Sequence, residues 1–281
     1  MNCRQILYEA SKKLKNKNFK SPQLDTELLL AKTLNLGRNE ILLNLNHEID
    51  NDKLDKFNYY LNLRKNYKSV AHILNEKFFW KDSFFVNEDV FVPRPETELI
   101  IEKILKILPK NLDKNILEVG TGSGCIAISV SKERPNCRIV AIDKSKKAIK
   151  VAKKNAEMHQ LGKKINFLNI DVDKYFSNKY DLIVSNPPYI KNSELISLDK
   201  DVKLNEPKLA LFGGFSGLEI FNKIIKKCDT LLKRNGMLIF EIGHKQSNEL
   251  KKILILKNFI QINVYKDLYG KDRCIVAKKS K

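Results

Sequence analysis

Asn186, Pro187, Pro188 and Tyr189 follow the apolar run Tyr180-Asp-Leu-Ile-Val184, with only Ser185 between. Proline offers a sheet no backbone N–H, so the run reads as a strand that must stop at this turn. The residue types suit a planar substrate NH2, such as an amide or a base amine. That nitrogen is a poor nucleophile because its lone pair is delocalised. Two acceptors can bind its two hydrogens and hold it toward an electrophile. The Asn186 side-chain carbonyl is one acceptor, and a backbone carbonyl of the proline turn is the other. Pro187 and Pro188 add no donors and keep the backbone stiff. Tyr189 offers a flat face for the planar group. Such positioning contributes several kcal/mol, up to about 7–11 in the best cases. The bland alternative is a rigid turn with a hydrophobic cap.

A second constellation lies upstream. Gly120, Gly122 and Gly124, with Thr121 and Ser123 between them, sit after the apolar stretch Asn115–Val119 and before a helical pattern. Glycines there allow a tight turn and close approach to a ligand. The spacing is G-x-G-x-G, with Cys125 after the third glycine, so the dinucleotide fingerprint is imperfect and the P-loop pattern is absent. Asp143 ends the next strand, where an acid can accept hydrogen bonds from ribose hydroxyls. It could equally cap the helix that follows. Glycine loop, Asp143 and Asn186–Tyr189 all fall at carboxyl ends of strands, where such sheets bind ligands. The electrophile that suits an amide clamp is the methyl sulfonium of S-adenosylmethionine, which carries its own leaving group. No metal-ligand or Ser/His/Asp motif competes with this reading, so no metal is expected.

These residues need an alternating scaffold. From about 112 the pattern runs strand, helix, strand, helix, which implies an α/β domain with a mostly parallel sheet. The helix after Leu218 reads through to Gly236, and the helix after Ser145 to Gly162. Residues 1–75 read as a helical bundle, with Ser21 as a cap, Pro22 in a first turn and a stop at Gly37. Residues 76–95 read as a β-hairpin linker centred on Val86-Asn-Glu-Asp89, and a helix starts near Pro95 or Glu96. The catalytic domain would then span 96–281.

Composition sets the outer limits. The chain has 281 residues, 43% of them hydrophobic, enough for one medium domain and a small one. Its formal charge is +19, which a functional basic surface or a lysine-rich composition would both explain. Five widely spaced cysteines form no C-x-x-C, which argues against a disulfide framework or zinc site. No signal-peptide core and no bilayer-length apolar run is present, so a reducing cytoplasm is the expected compartment. Nothing demands more than a monomer.

The chain resembles the HemK/PrmC family, the peptide-chain-release-factor glutamine N5-methyltransferases. The resemblance covers essentially the whole chain. Its carriers are Phe91-Val-Pro-Arg-Pro-Glu-Thr-Glu98, Leu117–Ile128, Val184–Ile190, Asn205–Leu218, Phe240–Gln246 and Asp267–Arg273. It implies a class I, Rossmann-like S-adenosylmethionine-dependent methyltransferase domain behind a bundle that contacts class-1 release factors. The acceptor would be the glutamine of their Gly-Gly-Gln loop, and nucleic acid would not be required. By that resemblance Gly120, Thr121, Gly122, Ser123 and Gly124 line the cofactor and Asp143 holds its ribose. Asp171 and Val172 border the adenine, and Asn186 also adjoins the cofactor. Asn186, Pro187 and Pro188 grip the glutamine amide with Tyr189 beside it, while Arg94, Thr97 and Glu98 shape the pocket. Three positions depart from the family pattern: Glu118 replaces an Asp, Val172 an aromatic residue, and Ser216 an Asp. A ribosomal-protein glutamine methyltransferase shares nearly all these motifs. An amino-methyltransferase for adenine in DNA or a base in rRNA shares the Asn-Pro-Pro-Tyr turn.

Overall fold

The computed structural model describes residues 1–280, which form two compact units. The first contains Met1–Glu76 together with Asp199–Asn205; the second contains Lys77–Leu198 and the chain from Glu206 onward.

Five helices build the first unit: α1 (Cys3–Lys15), α2 (Pro22–Leu34), α3 (Arg38–Leu43), α4 (Asn51–Lys65) and α5 (Val70–Leu74). In α1, Cys3, Ile6, Leu7, Ala10 and Leu14 recur at helical spacing and are buried. Asn2 caps it: its side chain accepts from Gln5 N at 3.0 Å, and the Gln5 side chain accepts from Asn2 N. Pro22 opens α2 as the pattern implies, and Ser21 holds the cap position. The Ser21 hydroxyl, however, donates to Asp25 Oδ1 at 2.9 Å and caps no backbone N–H. The stop lies at Asn35, which adopts the left-handed conformation with φ 56°; Gly37 instead precedes α3.

Strands β1 (Glu76–Phe79) and β2 (Asp82–Phe85) form the hairpin. Its turn is Trp80-Lys81, with Trp80 left-handed at φ 59°, six residues before the expected centre begins at Val86. Residues 86–89 follow the hairpin, and Asn87 Oδ1 accepts from Asp89 N at 3.2 Å to close a local turn. A 3₁₀ turn at Pro95–Thr97 leads into α6 (Glu98–Ile107), as the proline spacing implies.

The alternating part follows as β3 (Asn115–Val119), α7 (Cys125–Glu133), β4 (Arg138–Asp143), α8 (Lys146–Met158), β5 (Ile165–Asn169) and β6 (Tyr180–Ser185). Next come α9 (Lys200–Asn205), α10 (Lys208–Leu211), α11 (Glu219–Leu231), β7 (Leu232–Glu241), α12 (Ser247–Leu256), β8 (Phe259–Lys266) and β9 (Asp272–Lys279). The sheet order is β5-β4-β3-β6-β7-β9-β8. Strands β3 to β7 are parallel, and β9 runs antiparallel between β7 and β8. Successive strands thus step one way from β3 to β5 and the other way from β6, so the strand order reverses between β3 and β6. One core cluster includes residues of α6, α7 and α8, and the other includes residues of α11 and α12.

Two helix ends fall earlier than the glycines suggest. Helix α8 stops at Met158, with Gln160 left-handed at φ 60° ahead of Gly162. Helix α11 stops at Leu231, because Leu232 already pairs with Tyr180 of β6. The ladder then shifts register, with Asn235 at φ 60°, before Met237 pairs with Leu182. Among the described residues no helix is long and apolar enough to cross a membrane. All five cysteines are free and buried.

Candidate active site

A pocket opens at the carboxyl ends of β3, β4 and β6 in the second unit. Its lining brings together Gly120, Thr121, Gly122, Ser123, Asp143, Asp171, Val172 and the whole turn Asn186–Tyr189. Gly124, the third glycine, is not among the lining residues. The three loop glycines have φ 75°, 56° and 82°, a region that favours glycine. A Cβ on Gly120 or Gly122 would meet nothing within 4 Å, so the loop presents bare backbone to open space. A Cβ on Gly124 would lie 3.2 Å from Ala152 Cβ, so the third glycine serves the packing of α7 on α8.

Asp143 stands between the loop and the next helix. Its Oδ2 accepts from Gly122 N at 3.0 Å and its Oδ1 from Ser145 N at 2.8 Å. Burial pushes its carboxyl above the usual range, and these two hydrogen bonds oppose the shift. Ser145 is the true cap of α8, accepting from Ala148 N at 3.2 Å. Asp143 therefore supports that cap while its carboxylate also borders the pocket. Asp171 opens a short 3₁₀ turn by accepting from Asp173 N at 3.0 Å, and Val172 gives an aliphatic wall.

Glu118 fills the acid position before the loop. It is 1% exposed, and its Oε2 accepts from Thr121 Oγ1 at 2.7 Å and Ala127 N at 3.2 Å. Burial pushes its carboxyl up to about 8, against those two bonds.

The proline turn is held from three sides. Ile190 N donates to Leu211 O at 3.1 Å, and Gly213 N donates to Ile190 O at 3.0 Å. Gln246 Nε2 donates to Tyr189 O at 3.1 Å and to Gly217 O at 3.0 Å. A Cβ on Gly213 would meet Tyr189 Cα at 2.6 Å and Pro188 O at 2.7 Å, so the second glycine stretch lies flat against the turn. These contacts engage Tyr189 O and Ile190 O, and the Gly213 backbone lies against Pro188 O.

Asn186 Nδ2 donates to Thr97 Oγ1 at 3.2 Å, and Thr97 Oγ1 donates to Glu241 Oε2 at 2.6 Å. Tyr189 OH donates to Glu241 Oε1 at 3.3 Å, and Arg273 Nη1 donates to Tyr189 OH at 3.4 Å. Burial pushes Glu241 up to about 7, with Thr97, Arg273 and Tyr189 opposing the shift. Burial and the Glu241 charge raise the Tyr189 phenol.

Of the three residues expected to shape the pocket, Thr97 lines it. Arg94 pairs with buried Glu206 and lies 4.7 Å over the Phe91 ring, and Glu98 Oε1 accepts from Trp80 N at 2.8 Å. Both act one step back, on the chain that forms the rim. Ser216 closes the start of α11, donating to Glu219 Oε2 at 3.0 Å and accepting from Leu218 N at 3.2 Å. Phe91 and Pro93, from the Phe91–Glu98 motif, also line the pocket, with Asp89 and Val90 beside them, though the sequence alone gave none of the four a role. Glu241 closes the apolar strand Met237-Leu-Ile-Phe-Glu241 and falls in the Phe240–Gln246 motif, but neither signal assigned it a role.

Comparison with known proteins bears on the family and the fold. The family profile "Methyltransferase small domain" matches residues 97–200, and "PrmC N-terminal domain" matches residues 5–74. A release factor glutamine methyltransferase of Buchnera aphidicola subsp. Baizongia pistaciae is 37% identical over 99% of this chain and 100% of its own. The Bacillus subtilis enzyme of that name is 36% identical over 89% of both chains. A solved methyltransferase from Pyrococcus furiosus shares the fold with TM-score 0.54 and 19% identity, over 70% of this chain and 89% of that one. A ribosomal protein L11 methylase from Lactobacillus delbrueckii does so with TM-score 0.51 and 22% identity, over 68% and 82%.

Proposed function

Because this chain belongs to the release factor glutamine methyltransferase family, we propose that it methylates the side-chain amide nitrogen, N5, of the glutamine in the Gly-Gly-Gln loop of class-1 peptide chain release factors. The methyl donor is S-adenosylmethionine, and the enzyme works as a cytoplasmic monomer whose N-terminal helical unit contacts the release factor. The observation that carries the reading is that Asn186 and the Gly120–Gly122 backbone line one pocket at neighbouring strand ends.

The pocket suits the cofactor chemically. Bare backbone at Gly120 and Gly122 admits close approach, and Asp143 and Asp171 supply carboxylate acceptors for ribose and base. When bound, S-adenosylmethionine supplies a methyl on a cationic sulfur that is its own leaving group. Asn186 Oδ1 accepts one hydrogen of the glutamine amide and Pro187 O accepts the other. These two bonds set the plane of the amide and aim its nitrogen. Tyr189 packs against the flat group, and its hydroxyl, tied to Glu241 and Arg273, keeps the ring from swinging. As the nitrogen gains the methyl it releases one proton to water, so the side chain ends neutral. The rate gain comes from positioning more than from a strong base.

The test is transfer of label from S-adenosylmethionine to a purified class-1 release factor. Parallel samples carry the same factor with the Gly-Gly-Gln glutamine changed to alanine, ribosomal protein, and DNA. Label on the intact factor alone is the expected result. Asn186→Ala should lower kcat by about 100-fold or more while keeping cofactor binding. Asp143→Ala should raise the cofactor Kd by about tenfold, the loss of a charged hydrogen bond. Label on ribosomal protein with the factor untouched would reject the substrate and keep the chemistry.

A further inference from the structure

We propose that Thr97 and Glu241 are positioning residues for the transfer, their hydrogen-bond chain fixing the Asn186 carboxamide with its oxygen toward substrate and its nitrogen away. The inference rests on the amide-methylation reading above and deepens it.

A carboxamide has nearly the same shape in both of its flipped orientations, so packing alone selects neither. Charge does. An ionised carboxylate only accepts hydrogen bonds. With Thr97 Oγ1 2.6 Å from Glu241 Oε2, the hydroxyl proton goes to Glu241. Thr97 then has only lone pairs to offer Asn186, 3.2 Å away. Nδ2 can satisfy them and Oδ1 cannot. Oδ1 is therefore left for the pocket that Asn186 lines. The reverse orientation would set oxygen against oxygen at Thr97 and present an NH2 to a substrate NH2.

Two further observations support the chain. Thr97 occupies the cap position of α6, where a threonine hydroxyl usually accepts a backbone N–H. Here it makes no cap bond and turns to Glu241. Glu241 is 2% exposed at the end of β7, a costly place for a carboxylate without partners. Each of its oxygens has one, Oε2 from Thr97 and Oε1 from Tyr189. The charged and titratable groups that bear on it are Arg273, Tyr189, Glu96 and the thiols of Cys125 and Cys274. With its carboxyl pushed up to about 7, Glu241 changes charge near neutral pH. Once protonated it can donate to Thr97, and the chain can run backwards.

The experiment uses the full-length protein, a class-1 release factor and labelled S-adenosylmethionine. Thr97→Val keeps the shape and removes the hydroxyl; Thr97→Ser keeps the hydroxyl and removes the methyl. Thr97→Val should lower kcat about 10- to 100-fold with cofactor Kd within about twofold, and Thr97→Ser should stay within about threefold of the parent. Thr97→Val turning over at the parental rate, or Thr97→Ser as slow as Thr97→Val, overturns the inference. Glu241→Gln gives an independent reading should Thr97→Val not fold. The parental kcat should rise with pH through about 7 as Glu241 ionises. Glu241→Gln should lose that rise, and a variant that keeps it overturns the inference. A parental protein that labels no release factor would instead remove the amide-methylation reading on which the inference stands.

Discussion

Glu118 and Glu241 are both almost wholly buried, and both are pushed above the ordinary carboxyl value of 4.5, to about 8 and about 7. In each case desolvation outweighs the hydrogen bonds that favour the charged form. The folded state therefore holds these two protons more tightly than the unfolded chain does. Their stabilising contribution is fully present below about 4.5 and is lost as pH rises through about 7 and then 8. Glu118→Gln removes one titration while its amide oxygen can still accept from Thr121 and Ala127. The thermal midpoint of the parent should fall between pH 5.5 and 8.5 by more than that of Glu118→Gln, without cofactor. Parallel melting curves across that range would sink the account. At this scale the glycine loop, Asp143 and Asn186 are legible because each is local: a few neighbouring residues at a strand end carry the signal. Glu241 is less so. Its partner Thr97 lies 144 positions away, and an acid ending a strand acquires meaning only once the fold brings the two together.

Elements were legible where hydrophobic period and breaker agreed, and less so where backbone conformation decided. The alternation from Asn115 to Ser185 is such a case, since each strand is a continuous apolar run followed by a helix with one buried face. The hairpin turn is the opposite case. Trp80 and Lys81 carry no turn residue, yet Trp80 adopts a left-handed φ, held in place as its N–H donates to Glu98. Asparagine and glutamine take over the helix-ending role at Asn35 and Gln160, so counting glycines sets those boundaries too late. Helix α12 has buried Ser247, Leu250 and Leu254 at helical spacing but opens with no Asp, Ser or Thr side-chain cap. The glycine stretch 213–217 makes sense only as an element pressed on the proline turn. Gly213→Ala would drive a methyl to 2.6 Å from Tyr189 Cα, a backbone atom that cannot rotate away. The overpacking should cost about 1–3 kcal/mol of stability. It should also slow transfer, because the turn that carries Asn186 has to move. Denaturant unfolding and the methyl-transfer assay check the two parts. Parental values in both would show that the stretch yields instead of the turn.

At the scale of the whole molecule the chain does not divide at a single point. Residues Asp199–Asn205 lie between the proline turn and the second glycine stretch in sequence, yet they belong to the helical unit. Arg64 explains how that unit holds them. Its Nε donates to Asp25 Oδ2 at 2.7 Å, its Nη1 and Nη2 reach Asp201 Oδ2 at 3.4 Å, and its guanidinium lies 4.1 Å over the Phe19 ring. Asn205 Nδ2 adds a bond to Tyr67 O at 2.7 Å. No local pattern could announce this, since an Asp among lysines reads as solvated surface. Arg64 and Asp25 are each only 5% exposed, so removing the guanidinium strands a buried carboxylate. Arg64→Ala should destabilise the helical unit by about 3–5 kcal/mol. The pocket is lined wholly from the second unit, so cofactor affinity should change little. If the helical unit engages the release factor, KM for the factor should rise instead. Denaturant unfolding, cofactor titration and transfer kinetics on the full-length variant separate these effects. A cofactor affinity that falls in step with the loss of stability would mean that the two units do not divide the work in this way.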